Sequence, residues 1–297
     1  MQAQNLLELP NIRHIHFIGI GGISMSGLAE ILLSFGYEVS DSDIRESNLT
    51  RKLEQLGAVV YLHHSKENVH NADLIVYTAA VKENNPELVE ARNLNIPIID
   101  RATLLGLIMK KYPYSIAVSG THGKTTTTSM ISVILLKSGL NPTIHVGGEL
   151  DSIGGTTRIG NGRYLVAEAC EYYESFLKFS PFMAIINNIE YDHADYFTSI
   201  EHVKQTFLKF ASLVPENGYV IANADDLNVS SLLDNIHCNK ITYGLKSRDV
   251  MWTAKNIVFD SLGCASFKLI YNGNEITEIK LNVPGVHNII NALAASA

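Results

Sequence analysis

Gly120, Thr121, His122, Gly123, Lys124, Thr125 and Thr126 form the segment best suited to chemistry. An apolar strand-like run feeds it and a helix-forming run leaves it. In a phosphate loop of the Gly-Lys-Thr kind, main-chain amides cradle the phosphates and the lysine reaches the β- and γ-phosphates. The hydroxyl holds Mg2+. Gly123, Lys124 and Thr125 supply those groups in that order. The full pattern asks for glycine at position 118, where this chain has Val118, so the loop is a variant. The competing reading is a threonine-rich helix start with an incidental lysine.

A second glycine-rich turn precedes it, Gly19-Ile20-Gly21-Gly22-Ile23-Ser24, again between a strand and a helix. Amides at such a turn, aided by the helix dipole, can hold a diphosphate. The dinucleotide fingerprint asks for glycine at position 24, and Ser24 argues against NAD. Asp41 and Asp43 follow at the distance where a carboxylate meets a ribose. A tight turn without ligand is the alternative.

Glu168 follows a buried run at 164–167, and Asp192-His193 follows another at 182–187. Carboxylates at strand ends of α/β sheets face the ligand crevice. A carboxylate and an imidazole beside a nucleotide suggest a Mg2+ or Mn2+ site on Glu168 and His193. Taken singly, each is more often a solvated or capping residue than a ligand, and Glu171, Glu174, Glu190 and Asp195 stand close enough to substitute. His287, Asn288 and Asn291 open the last helix. Asparagine amides can read an adenine edge, or cap a helix.

The elements that position these residues alternate. Strands at 14–18, 37–40, 58–62, 74–78 and 97–99 are interleaved with helices at 28–35, 49–56 and 86–93. This rhythm implies an α/β fold with a Rossmann-like, doubly wound parallel sheet. A second domain begins near 110–114 with a strand at 115–119, the glycine loop and a helix at 126–138. Further strands fall at 163–167 and 182–187, and an amphipathic helix at 200–210. Strands at 250–259, 265–271 and 275–281, with a turn at Asn272-Gly273, read as an antiparallel flap on a P-loop-type ATPase domain. The domains are therefore 1–109 and 110–297. The apolar helix from His287 has nothing evident to cover it and is expected to fray.

The chain has 297 residues, 46% hydrophobic and 18% charged, with a formal charge of −7. It is globular in composition, and its acidic balance argues against a nucleic-acid partner. No apolar run reaches the roughly 18 residues of a spanning helix, so no membrane insertion is expected. Met1–Pro10 shows no signal peptide. Cys170, Cys238 and Cys264 form no CxxC pair and read as reduced thiols of a cytoplasmic protein.

Taken together, these segments resemble the Mur ligases of bacterial cell-wall synthesis. The resemblance rests on residues 19–30 (GIGGISMSGLAE), 120–127 (GTHGKTTT), 168–177 (EACEYYESFL), 188–195 (NIEYDHAD) and 287–294 (HNIINALA). Ser42-Asp43, the run at 74–80 and Asn85-Pro86-Glu87-Leu88 also fit. The first loop narrows it to the alanine-adding branch or the murein-peptide recycling branch. The resemblance implies that the first domain binds UDP-N-acetylmuramate, with Gly21 and Gly22 at the diphosphate and Ser42, Asp43 and His64 at the nucleoside. It implies ATP on residues 120–126, with Lys124 at the γ-phosphate and Thr125 on the first Mg2+. Glu168 and His193 match a second metal position, and His287, Asn288 and Asn291 an adenine-side motif. The implied reaction joins L-alanine to the muramoyl carboxylate through an acyl phosphate, releasing ADP and phosphate.

Members also carry a third domain that holds the amino acid. It is expected to be absent from this chain, leaving the chain alone inactive. Two departures stand out. Asn187 replaces a common threonine, and Cys170-Glu171-Tyr172-Tyr173 replaces Asp-Glu-Ser-Asp, which leaves the roles of Glu171 and Glu174 open. The rivals are a P-loop ATPase or small-molecule kinase, which leaves the first loop idle, and a non-catalytic nucleotide sensor, which leaves Lys124 idle.

Overall fold

The computed structural model describes residues 12–78 and 80–297. The segment Met1–Pro10, read as lacking a signal peptide, lies outside the described residues. The chain folds as two units. One runs to Lys111 and includes Thr143–Asn161; the other comprises Tyr112–Pro142 and Gly162–Ala297.

The first unit comprises β1 (His14–Ile18), α1 (Ile23–Ser34), β2 (Glu38–Ser42), α2 (Asn48–Gln55), β3 (Val59–Tyr61), β4 (Leu74–Tyr77), α3 (Pro86–Asn93), β5 (Ile98–Asp100) and α4 (Arg101–Met109). The strands are parallel in the order β3-β2-β1-β4-β5. Ile15, Phe17 and Ile18 are fully buried, as befits a parallel sheet covered on both faces. Ser47 and Thr50 form a reciprocal capping box that starts α2. The side chain of Asn85 caps α3, with Pro86 at its first position. Helix α4 was not expected; the Asp100 carboxylate starts it by accepting from the Thr103 amide. The strand order reverses between β1 and β4, so the crevice of this unit opens at the Gly19 turn.

Asp41 on β2 faces away from that chemistry. Its neighbours in register are Phe17 and Val60. Both carboxylate oxygens are buried without a hydrogen-bond partner. Burial, then the charges of Asp43, Glu54 and Glu87, push its pKa up to about 8. The folded state therefore holds a proton that the unfolded state releases near pH 4, and stability falls as pH rises from about 4 to 8. Asp41→Asn removes the ionisation. We expect it to match the wild type near pH 4 and to exceed it progressively up to pH 8, by at most about 1.4 kcal/mol per pH unit. Urea melts at pH 5 and pH 8 check this, and a stability gap independent of pH would refute it.

The second unit opens with β6 (Tyr114–Ser119) and α5 (Lys124–Lys137). The chain then supplies a hairpin grouped with the first unit, β7 (Thr143–Leu150) and β8 (Gly155–Arg158), which also was not expected. The second unit resumes with β9 (Tyr164–Glu168), β10 (Met183–Ile186), α6 (Ile200–Ala211), β11 (Tyr219–Asn223), α7 (Leu227–Ser230) and β12 (Asn239–Tyr243). It finishes with β13 (Trp252–Phe259), β14 (Cys264–Tyr271), β15 (Asn274–Pro284) and α8 (Val286–Ser296). Its strands run in the order β15-β14-β13-β12-β11-β10-β6-β9. Strands β12, β11, β10, β6 and β9 are parallel, whereas β13, β14 and β15 are antiparallel.

The antiparallel strands are thus one sheet with the parallel core, joined by Tyr243 and Trp252. Asn272 and Gly273 both have positive φ, as the two-residue β14–β15 turn requires. The expectation that the last helix lies uncovered is corrected. Ile289 and Leu293 of α8 are fully buried in the core with Ile131 of α5 and Ile221 of β11. Among the described residues no helix is long and apolar enough to cross a membrane.

Candidate functional site

In the second unit, β6 runs on to Ser119, so Val118 is a buried strand residue and the phosphate loop is confined to Gly120–Gly123. Gly120 has φ 137° and Gly123 has φ 81°, and the latter serves as N-cap of α5. A Cβ on Gly120 would stand 2.9 Å from Asn187 Cβ, and one on Gly123 2.6 Å from Asn291 Oδ1. Left-handed backbone and close neighbours together demand glycine at both.

The segment after β10 stitches this loop. The His122 amide donates to Asn188 Oδ1 at 2.7 Å, the Asn188 amide side chain to His122 O at 3.1 Å, and the Glu190 amide to Thr121 Oγ1 at 2.9 Å. Lys124 Nζ donates to the carbonyls of Gly120 at 2.5 Å and Thr121 at 3.2 Å. It also lies 3.1 Å from Glu171 Oε2, whose side chain is only 3% exposed. Thr125 is exposed and Thr126 half-buried in the first turn of α5. The imidazole of His122 reaches Glu190 at 3.5 Å on the surface.

Glu168 ends β9, in register with Val118. His193, with φ 52°, stacks on Tyr172 at 4.3 Å, and its Nε2 lies 3.9 Å from Glu171 Oε1. The carboxylate brought to both Lys124 and His193 is therefore Glu171. Glu174 is turned towards α6, accepting from Thr206 Oγ1 at 3.0 Å. Neither role carries a readable spacing, because Glu171 precedes and Glu174 lies within a short 3-10 segment, Tyr172–Lys178, with left-handed Tyr173 and Glu174.

Sequence reasoning also missed a buried polar relay. The Asn288 side chain donates to Pro284 O at 2.7 Å, and Asn291 Nδ2 donates to Asn288 Oδ1 at 3.0 Å. Thr127 Oγ1 donates to Asn291 Oδ1 at 3.3 Å and accepts from Asn187 Nδ2 at 3.1 Å. Tyr243 OH donates to Asn187 Oδ1 at 3.0 Å. Asn288 and Asn291 are thus committed to bonds within the protein, and they fix α8 against the first turn of α5. His287 is exposed at the start of α8.

In the first unit, a crevice of about 570 Å3 is lined by Gly19, Gly22, Asp43, His64, Thr78 and Asn85, among others. The Gly21 amide donates to Asp43 Oδ2 at 2.7 Å, which shapes the loop. Ser42 is fully buried beneath the crevice. Its Oγ donates to Glu87 Oε2 at 2.6 Å, which also receives His64 Nδ1 at 2.9 Å. Burial raises the Glu87 pKa, but hydrogen bonds from His16, Ser42 and Asn68 outweigh it and hold the carboxyl below its usual range. A fixed carboxylate thus orients His64 at the crevice wall.

Two phosphate-ready turns with this stitching invite comparison with known proteins. The Mur ligase middle domain matches residues 118–297, and the Mur ligase family catalytic domain matches residues 14–113. The chain belongs to the Mur ligase family. It is 64% identical over 297 residues to the UDP-N-acetylmuramate–L-alanine ligase of Acetivibrio thermocellus, covering all of this chain and 63% of that protein. It resembles the crystal structure of UDP-N-acetylmuramate-alanine ligase from Thermotoga maritima, with TM-score 0.79 and 36% identity, over 95% of this chain and 63% of that one. It also resembles the UDP-N-acetylmuramate:L-alanyl-γ-D-glutamyl-meso-diaminopimelate ligase of Neisseria meningitides, with TM-score 0.82 and 29% identity, over 96% of this chain and 92% of that one. This Mur ligase chain therefore spans less than two thirds of the length of the curated relatives it matches.

Proposed function

We propose that this chain binds UDP-N-acetylmuramate and ATP for the ligase reaction that joins L-alanine to the muramoyl carboxylate in peptidoglycan synthesis. The observation that carries this reading is the pair of strand-to-helix phosphate turns, each complete within its own unit, in a chain 64% identical to an alanine-adding ligase. The murein-peptide recycling ligase, the alternative on the same sugar, has the lower identity of the two structural relatives, 29% against 36%.

The muramoyl carboxylate attacks the γ-phosphorus, the bond to ADP breaks, and an acyl phosphate forms. The alanine amine then displaces phosphate to give the amide. Such phosphoryl transfer rests on positioning and charge neutralisation. The amides of Gly120–Gly123 hold the phosphates. Lys124 exchanges the carbonyls of Gly120 and Thr121 for the γ-phosphate, while Glu171 keeps the ammonium aligned. His287 stands at the adenine side, with Asn288 and Asn291 holding the loop behind it.

The residues present suit Mg2+. Thr125 and Glu168 offer hard oxygen donors, and His193 a further ligand. Among the described residues no three His, Cys, Asp or Glu cluster as a metal cage. Bound there, Mg2+ supplies charge neutralisation at the transferred phosphoryl group. In the first unit, Gly21 and Gly22 take the diphosphate, and Asp43 and His64 the nucleoside. Both ligands are cytoplasmic nucleotides, so the reading places the protein in the cytoplasm.

A thermal-shift and calorimetric panel of UDP-N-acetylmuramate, ATP·Mg2+ and NADH tests this. The first two are expected to bind and stabilise the chain, and NADH to do neither. Stabilisation by NADH, or no binding of the UDP-sugar to folded protein, would overturn the reading.

A further inference from the structure

In the second sheet β6 lies between β9 and β10. The segment after β9 carries Tyr172 and the segment after β10 carries His193, so the two flank the phosphate loop from opposite sides. They meet beside it. The two rings stack at 4.3 Å with an interplanar angle of 25°. The Tyr172 hydroxyl donates to Asp195 Oδ2, two residues beyond His193. One side chain thus grips the histidine turn at two points.

The platform beneath Tyr172 is fixed. Ser175 Oγ donates to Tyr172 O at 2.7 Å, and Phe176 is fully buried and stacked on Phe210 at 4.4 Å. The turn that Tyr172 grips is more open. Asp192, Ala194 and Asp195 are exposed, and His193 has φ 52°. A non-glycine residue in the left-handed region persists where its surroundings over-determine it.

The backbone of the turn has its own bonds. The His193 carbonyl accepts from the amides of Tyr196 at 2.8 Å and Phe197 at 2.9 Å, and Phe197 is buried. Those bonds leave the imidazole a choice of rotamers. Stacking on Tyr172 removes that choice, because paired aromatic rings prefer particular orientations. In the orientation chosen, His193 Nε2 lies 3.9 Å from Glu171 Oε1, the carboxylate that pairs with Lys124. Tyr172 is also one of the positions at which the sequence departs from the Asp-Glu-Ser-Asp pattern, so this clasp is a feature of the present sequence and not of that pattern.

We propose that Tyr172, tethered by Asp195, is a positioning residue that aims the His193 imidazole at the edge of the phosphate loop before nucleotide and metal arrive. A ligand already held in its bound rotamer lowers the ordering cost of coordination. The proposal rests on the reading of His193 as a Mg2+ ligand and adds the residue that aims it.

Two measurements on the 297-residue chain test it. The first needs no metal. The His193 ring resonances, assigned by their loss in His193→Ala, should carry a ring-current shift that Tyr172→Leu abolishes and Tyr172→Phe largely keeps. The second is titration with Mn2+ in the presence of a non-hydrolysable ATP analogue. Tyr172→Leu should weaken Mn2+ by about 10-fold, the lower end for losing a group that orients a metal ligand. Tyr172→Phe should lose less, and UDP affinity should stay unchanged in both. In a His193→Ala background Tyr172→Leu should add nothing, since the two act as one unit. Unchanged His193 resonances or unchanged Mn2+ affinity in Tyr172→Leu would overturn the proposal, and so would additive losses in the double variant. Should Tyr172→Leu fail to fold, Tyr172→Phe and Asp195→Ala decide, and unchanged resonances with unchanged Mn2+ affinity in both overturn the proposal. Wild-type Mn2+ affinity in His193→Ala would instead overturn the reading of His193 as a ligand, and this proposal with it.

Discussion

Lys124→Ala is expected to lower ligase turnover by roughly 100-fold or more, the scale for removing a preorganised charge from a phosphoryl-transfer transition state. It is also expected to destabilise the fold, because the lysine is the near partner of a carboxylate that is 3% exposed. Removing one member of a buried ion pair costs about 3–5 kcal/mol. His193, 3.9 Å from Glu171, offsets part of this when protonated. Glu171→Gln removes the orphaned charge, so the double variant Lys124→Ala/Glu171→Gln should regain most of the stability and none of the turnover. Urea melts of the three variants give the coupling between the two sites. Turnover is read by ADP release in a ligase of the relatives' full length. Near wild-type turnover in Lys124→Ala would remove the lysine from the mechanism. Additive stability effects would show that Glu171 does not depend on it.

This separation of stability from turnover could not be seen in the sequence, and the reason is distance along the chain. Lys124 and Glu171 are 47 positions apart, and Glu171 sits in a short run whose only pattern is two adjacent tyrosines. The Thr127–Asn291 bond spans 164 positions. Local signals fared better. Asn85-Pro86 marks the start of α3, whose bounds match the expected 86–93, and Asn272-Gly273 marks the β14–β15 turn. The βαβ rhythm implies the parallel sheet of the first unit, and in β4 the continuous apolar run Leu74, Ile75 and Val76 is fully buried. The β7–β8 hairpin escaped notice because its residues past Val146 are mostly half-exposed and glycine-rich, with neither period. Coverage of α8 escaped too, since the elements that bury it, α5 and β11, lie far back in the chain.

Gly123→Ala should weaken nucleotide binding, for a reason confined to the backbone. At φ 81° an alanine costs about 1–2 kcal/mol. Its Cβ would also lie 2.6 Å from Asn291 Oδ1 and 3.2 Å from Asn187 Nδ2. Neither carboxamide can swing aside freely. Asn291 is held by Thr127 and Asn288, and Asn187 by Tyr243 and Thr127. The first turn of α5 must move instead, taking the Lys124 ammonium with it. ATP affinity is therefore expected to fall by about 10-fold, the equivalent of about 1.4 kcal/mol of loop strain, while UDP-N-acetylmuramate binding, which uses the glycine turn of the first unit, is retained. Adding Asn291→Ala relieves the contact but not the left-handed backbone, so it should recover part of the affinity. Calorimetric titrations of both ligands into the single and double variants read this directly. Wild-type ATP affinity in Gly123→Ala would show that the loop tolerates a side chain there. Loss of both ligands together would show global unfolding rather than a displaced phosphate loop.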